Sequence, residues 1–156
     1  MGQRILVALD DSENAFRAAE FVARTFAPDH EVTLFSVFLD AEGLCKSQGA
    51  QMSPYFLSYK TVFCSMEDKK KELVTEAQKK AKETLLKAGF SDKHVTTKIQ
   101  KLIKGVARDI IEEAHAGYQV VVMGRRGLSS ITEFVLGSVS QKVLHSCKDI
   151  TIVIVG

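Results

Sequence analysis

Four consecutive apolar residues, Val120, Val121, Val122 and Met123, lie between Gln119 and Gly124, and they restrict the fold more than any other stretch. A run this short and this uniformly apolar, closed by glycine, predicts a strand covered on both faces, as in the middle of a parallel sheet. Parallel neighbours cannot be joined by tight turns. They need crossovers, and helical and extended patterns alternate along the chain accordingly. Residues 5–9 read as a strand, residues 13–26 as a helix with Ala15, Ala18, Ala19, Val22 and Phe26 on one stripe, and residues 31–38 as a second strand. A helix over 66–88 follows, with Leu73, Val74, Ala77, Ala81, Leu85 and Ala88 inward, then a strand at 95–103 and a helix at 107–116. After the 120–123 strand come a helix at 138–147, burying Val139, Val143 and Leu144, and a last strand at 150–155. The predicted class is α/β: a doubly wound five-stranded parallel sheet of order 3-2-1-4-5 with helices on both faces. A length of 156 residues suits one domain over 1–156.

Residues 39–65 break the alternation. Gly43, Gly49, Pro54 and several serines interrupt them, yet Met52, Tyr55, Phe56, Leu57, Tyr59, Val62 and Phe63 are apolar. The expectation is a long irregular insertion, serving either as cover for the sheet edge or as a flap near a ligand. Three cysteines, Cys45, Cys64 and Cys147, are odd in number and too widely spaced for a C-x-x-C pair, which predicts free thiols in a reducing compartment. No signal-peptide pattern and no apolar run of membrane-spanning length are present, so a cytoplasmic protein without membrane attachment is expected. A net charge of +2 is too small for a nucleic-acid partner, and the lysines of 69–87 are interleaved with glutamates as on a solvated face.

The chemistry is concentrated where the 120–123 strand ends. Gly124 and Gly127 lie three apart, and nine residues later Gly137 and Ser138 open a helical pattern that continues with Val139 and Ser140. Glycines let backbone approach a ligand closely, and a helix start offers unpaired N–H groups with roughly half a positive charge, which suits a phosphate. Taken singly, each of these residues also serves as an ordinary turn or cap. Neither G-x-x-x-x-G-K-[ST] nor G-x-G-x-x-G occurs. In the predicted strand order, the first strand brings Leu9 and Asp10, and the fourth brings Met123 and Gly124, to one crevice at the switch point.

G-x-x-G, nine residues, then G-S resembles the ATP-binding signature of the universal stress protein family. The resemblance extends to Ile5-Leu6-Val7-Ala8-Leu9-Asp10, Arg126-Gly127, Leu136-Gly137-Ser138-Val139-Ser140 and the last strand. It implies that Asp10 meets the ribose or a phosphate-bound Mg2+, that the Val37 backbone meets adenine, and that Gly124, Gly127, Gly137, Ser138, Val139 and Ser140 surround ribose and phosphates. Arg125 and Arg126 would screen phosphate charge. Two departures are visible: Asp149-Ile150 stands where the family commonly has a proline, and the segment before residue 66 is longer than usual.

The function expected on this basis is an ATP-binding stress-response or signalling protein in which bound nucleotide tunes conformation or partner binding. A slow ATPase and a nucleotide-free dimeric interaction module are the alternatives. No nucleophile–base pair stands out, and His30, His94, His115 and His145 fall at predicted element ends or on helices away from the crevice. The uncharged strand from Ile150 to Val155, at a sheet edge, predicts a homodimer.

Overall fold

A computed structural model describes residues 2–10, 13–39, 45, 54–125 and 136–156, with 13–14 and 54–57 described by backbone alone. The elements are β1 (Arg4–Ala8), α1 (Glu13–Thr25), β2 (Glu31–Phe38), α2 (Pro54–Lys87), β3 (Val95–Lys101), α3 (Val106–Ala114), β4 (Val120–Gly124), α4 (Ser138–Ser146) and β5 (Thr151–Val155). A 3-10 turn, Asp92–His94, precedes β3. All ladders are parallel and the sheet order is β3-β2-β1-β4-β5, as the alternating sequence pattern requires.

Side chains alternate across the sheet into two cores. Ile5, Val7, Leu34 and Val122 meet Ala15, Ala18, Val22, Ala81 and Leu85 of α1 and α2 on one face. Leu6, Phe35, Val121 and Met123 meet Ile110, Ala114 and Val143 of α3 and α4 on the other. β4 is buried along its whole length, which explains why its sequence lacks the polar alternation of a half-exposed strand.

Three expectations need correction. First, the helix predicted from residue 66 begins at Pro54 and runs for 34 residues, so 54–65 is helical rather than irregular. Proline at a first turn costs no hydrogen bond, and no glycine or further proline interrupts the chain before Gly89. The low helix propensity of the aromatic and β-branched residues hid the period. Tyr59, Val62, Phe63 and Met66 recur at i, i+3, i+4 and i+7 but are 36–66% exposed, so they are not cover for the core. Residues 40–44 and 46–53 lie outside the described residues. Second, Leu73, Ala88 and Leu144 are exposed, and Gln78 and Ser140, which lie outside the predicted stripes, are buried. Spacings of 74, 78, 81 and 85 and of 140 and 143 are also helical faces, and hydrophobicity alone selected the wrong neighbour. Third, Cys45 and Cys64 form a disulfide, leaving Cys147 as a buried free thiol. Their separation in sequence excludes a C-x-x-C motif but not a crosslink, and the two Cα atoms lie 5.8 Å apart.

At the amino ends of the strands, Arg4 ties β1 to the turn before β4. Its backbone N–H donates to Gln119 Oε1 (2.7 Å), and Nη1 donates to the carbonyls of Ala116 (3.0 Å) and Gly117 (3.3 Å). The guanidinium also lies 4.6 Å from the Tyr118 ring centroid. Gly117 has φ +102°, and a Cβ there would meet Arg4 Nη1 at 2.7 Å. Gly117→Ala is expected to lower unfolding free energy by about 1–2 kcal/mol, from left-handed backbone strain plus displacement of Arg4. Urea titration checks this.

Burial also pushes the Cys147 thiol above the usual cysteine range, so its reactive thiolate is scarce at neutral pH in the native fold. Thiol titration of denatured protein should find one thiol without reductant and three with it. Three thiols without reductant would disprove the crosslink.

Candidate functional site

The paired residues of β1 and β4 are Ile5↔Val120, Leu6↔Val121 and Val7↔Val122. Continuing that register sets Leu9 beside Gly124 and Asp10 beside Arg125. The connection from β1 leads outward to β2, whereas β4 leads the opposite way to β5. The crossovers therefore diverge at this pair and leave a crevice at its carboxyl end, the place where doubly wound sheets take ligands. Leu9 is buried, and its N–H donates to the Phe35 carbonyl at 2.8 Å. Asp10, one residue on, is half-buried and engaged with the surrounding protein.

On the other side of the crevice, Gly124 closes β4 opposite Val155, and Arg125 N–H donates to the Val155 carbonyl at 2.7 Å. The chain returns at Leu136, and Gly137 N–H donates to the Arg125 carbonyl at 2.9 Å. This bond sets the start of α4 against the end of β4. Ser140 strengthens the same junction: its buried Oγ donates to the Gly124 carbonyl at 2.9 Å. The Ser140 hydroxyl is thus committed internally, which leaves its backbone N–H for the crevice.

Gly137 is the N-cap of α4, with φ −60° and ψ 156°, and no side chain among the described residues caps the helix. The first helical N–H groups belong to Ser138, Val139 and Ser140, the donors that lack carbonyl partners within a helix. Any residue adopts the Gly137 backbone angles. Its missing Cβ is therefore not demanded by the turn. Val37 lies near the carboxyl end of β2, opposite Gln100 of β3, with its side chain toward the α3–α4 core. Met123 is buried in that same core. Arg126 and Gly127 lie outside the described residues, so the glycine pair of the motif is described only at Gly124.

Beneath Leu9 is a polar chain that hydrophobic periodicity did not reveal. Ser36 Oγ donates to the Leu9 carbonyl at 2.6 Å, and Gln78 Nε2 of α2 donates to Ser36 Oγ at 2.6 Å and to the Leu34 carbonyl at 3.2 Å. Both residues are 2% exposed. The signals available in the sequence were a lone serine in the apolar run of β2 and a glutamine at stripe spacing among alanines and leucines.

The histidines are at the opposite end. His30 precedes β2 and contacts Asp29 Oδ1 at 3.0 Å, and His94 precedes β3 with Nδ1 3.1 Å from the Pro28 carbonyl. His115 follows α3 with Nδ1 2.7 Å from the Ile111 carbonyl, and His145 is in the last turn of α4. Each of these positions leads into the amino end of a strand, a sheet's length from the crevice. No group of three or more His, Cys, Asp or Glu side chains suited to a metal occurs among the described residues.

Several solved structures share the fold across nearly the whole chain. Hypothetical protein MJ0577 has a TM-score of 0.71 at 24% identity, with 99% of this chain and 96% of that one covered. Universal stress protein UspA from Lactobacillus plantarum gives 0.69 at 19%, covering 99% and 97%. A universal stress protein in complex with cAMP gives 0.63 at 17%, covering 99% and 96%. No curated protein matches the chain. The pattern of one family runs over residues 1–154, through every element of the sheet and both sides of the crevice, and the chain belongs to that family, the universal stress proteins.

Proposed function

We propose that this chain binds ATP with Mg2+ in the crevice between β1 and β4, as a stress-response or signalling protein whose bound nucleotide tunes conformation or partner binding. The observation that carries the reading is the start of α4: a helix N-terminus that no side chain among the described residues caps, held by the Gly137–Arg125 bond at the switch point of the sheet. Three successive backbone donors with a helix dipole behind them match the oxygens of a phosphate chain. The β1–β4 register, continued, sets Asp10 beside Arg125, whose carbonyl accepts the Gly137 N–H. A single carboxylate suits Mg2+, which keeps several waters and takes further oxygens from the phosphates themselves. That cAMP, an adenine nucleotide, is bound by one protein of this fold gives further support.

The residues divide the work. Backbone N–H groups of Ser138, Val139 and Ser140 would receive phosphate, Asp10 the ribose or the cation, and the Val37 backbone the adenine edge. Gly124, Gly127 and Gly137 would leave room for close approach, with Leu9 and Met123 as the crevice floor and Arg126 screening charge. A base to activate water is harder to find, because all four histidines lie at the far end of the sheet. This favours nucleotide as ligand over nucleotide as substrate, with hydrolysis slow or absent.

We further propose a homodimer through β5. The two sheet edges differ: β3 carries Lys98 and Lys101, charges that discourage strand addition, whereas Thr151, Ile152, Val153, Ile154 and Val155 of β5 carry none. Pairing of two β5 strands about a two-fold axis closes both edges at once.

Two measurements test these readings. Gly137→Val fits the existing backbone angles, so the fold should persist while Mg-ATP affinity by calorimetry falls at least about tenfold, because the side chain occupies phosphate space. Wild-type protein giving neither heat nor thermal shift at millimolar Mg-ATP would reject the nucleotide reading and favour the interaction module. For the dimer, Val153→Lys should shift sedimentation toward monomer at micromolar concentration with the circular dichroism spectrum retained. A wild-type monomer in the same run would reject the β5 contact.

A further inference from the structure

We infer that Gln78 is a positioning residue for the nucleotide crevice, acting through Ser36 on the Leu9 carbonyl and so on the backbone that carries Asp10. The inference rests on the nucleotide reading above and names the device that ties α2 to that site.

The chain of bonds has a defined direction. The Leu34 carbonyl can only accept, so the Gln78 atom 3.2 Å from it is Nε2, and the amide orientation follows. The same nitrogen donates to Ser36 Oγ, which leaves that hydroxyl's single proton for the Leu9 carbonyl. Leu9 lies beyond the last residue of β1, where the paired positions of the ladder end at Ala8↔Phe35. Its N–H is held by the Phe35 carbonyl and its C=O by Ser36 Oγ, so the peptide groups on either side of Leu9 are both anchored to β2. The carbonyl carbon of Leu9 is bonded directly to the Asp10 nitrogen. Rotation of that peptide would swing the Asp10 carboxylate relative to the start of α4.

A second observation separates this arrangement from ordinary core packing. Gln78 Oε1 is buried with no hydrogen-bond partner among the described residues. An unsatisfied buried acceptor is a cost that leucine or methionine at this position would not incur, and the rest of the α2 stripe, Val74, Ala81 and Leu85, is apolar. The glutamine is better explained by what its amide nitrogen holds than by stability.

The test compares Mg-ATP affinity by calorimetry and thermal stability for wild type, Gln78→Met, Ser36→Ala and the double variant. Methionine approximates the shape of glutamine, and alanine at 36 provides an independent break in the same chain should Gln78→Met fail to fold. Each single variant should bind Mg-ATP roughly threefold to tenfold more weakly, the effect of one lost hydrogen bond, and the double variant no more weakly than the worse single. Gln78→Met should keep or gain thermal stability while losing affinity. Variants that bind within twofold of wild type would overturn the positioning role and leave nucleotide binding intact. Losses that add in the double variant would overturn the relay as well. Absence of binding by the wild type itself would overturn the nucleotide reading and the positioning role with it.

Discussion

Three ladder pairs between β1 and β4 join the two halves of the sheet, and the remainder of the structure depends on them. The halves are wound in opposite directions from this seam, so it is the one place where neighbouring strands belong to different windings. Its residues are buried on both faces: Ile5, Val7 and Val122 belong to one core, and Leu6 and Val121 to the other. A fault in the register would turn each side chain into the opposite core. The apolar run from Val120 to Met123 is therefore both the strongest folding signal and the reason that a crevice opens where it does.

The two ends of that seam are built from different chemistry. At the amino end Arg4, Gln119 and Tyr118 fasten strand to turn with a charged side chain, an amide and a ring, and the Tyr118 hydroxyl donates to Glu113 Oε1 at 3.0 Å. Burial raises the pKa of that phenol, so it stays a neutral donor throughout the ordinary pH range. At the carboxyl end, among the described residues, backbone groups predominate: Gly124, Gly137 and the first N–H groups of α4, with Ser140 as internal support. Side chains secure the fold at one end. Main chain is left available at the other.

Much of this was legible in the residues. Period and punctuation placed all five strands and the helices α1, α3 and α4 within one or two residues, because Pro28, Gly89, Gly105 and Gly117 mark the boundaries that their backbone conformations require. The crevice was legible too, since strand order alone brings Leu9 and Asp10 to Gly124. What escaped was encoded against the usual signals. The first twelve residues of α2 are rich in aromatic and β-branched types, and Tyr59, Val62 and Phe63 among them are exposed. Gln78 and Ser36 are polar residues in the core, and no scale of hydrophobicity would bury them before their mutual bonds are seen. The Cys45–Cys64 link depends on the approach of two positions 19 residues apart, which spacing does not reveal.

The exposed half of α2 has a mechanical consequence. From Ser58 to Leu73 not one residue is buried, and burial begins only with Val74. At about 1.5 Å per residue this is a rod of some 24 Å, most of a small domain's diameter, that gains little from the core. An isolated helix of such length is marginal in water. Its tie to Cys45 is thus a clasp at the weak end of a cantilever whose fixed end contains Gln78, and a load applied near Tyr59 would be carried by the helix backbone toward the floor of the crevice.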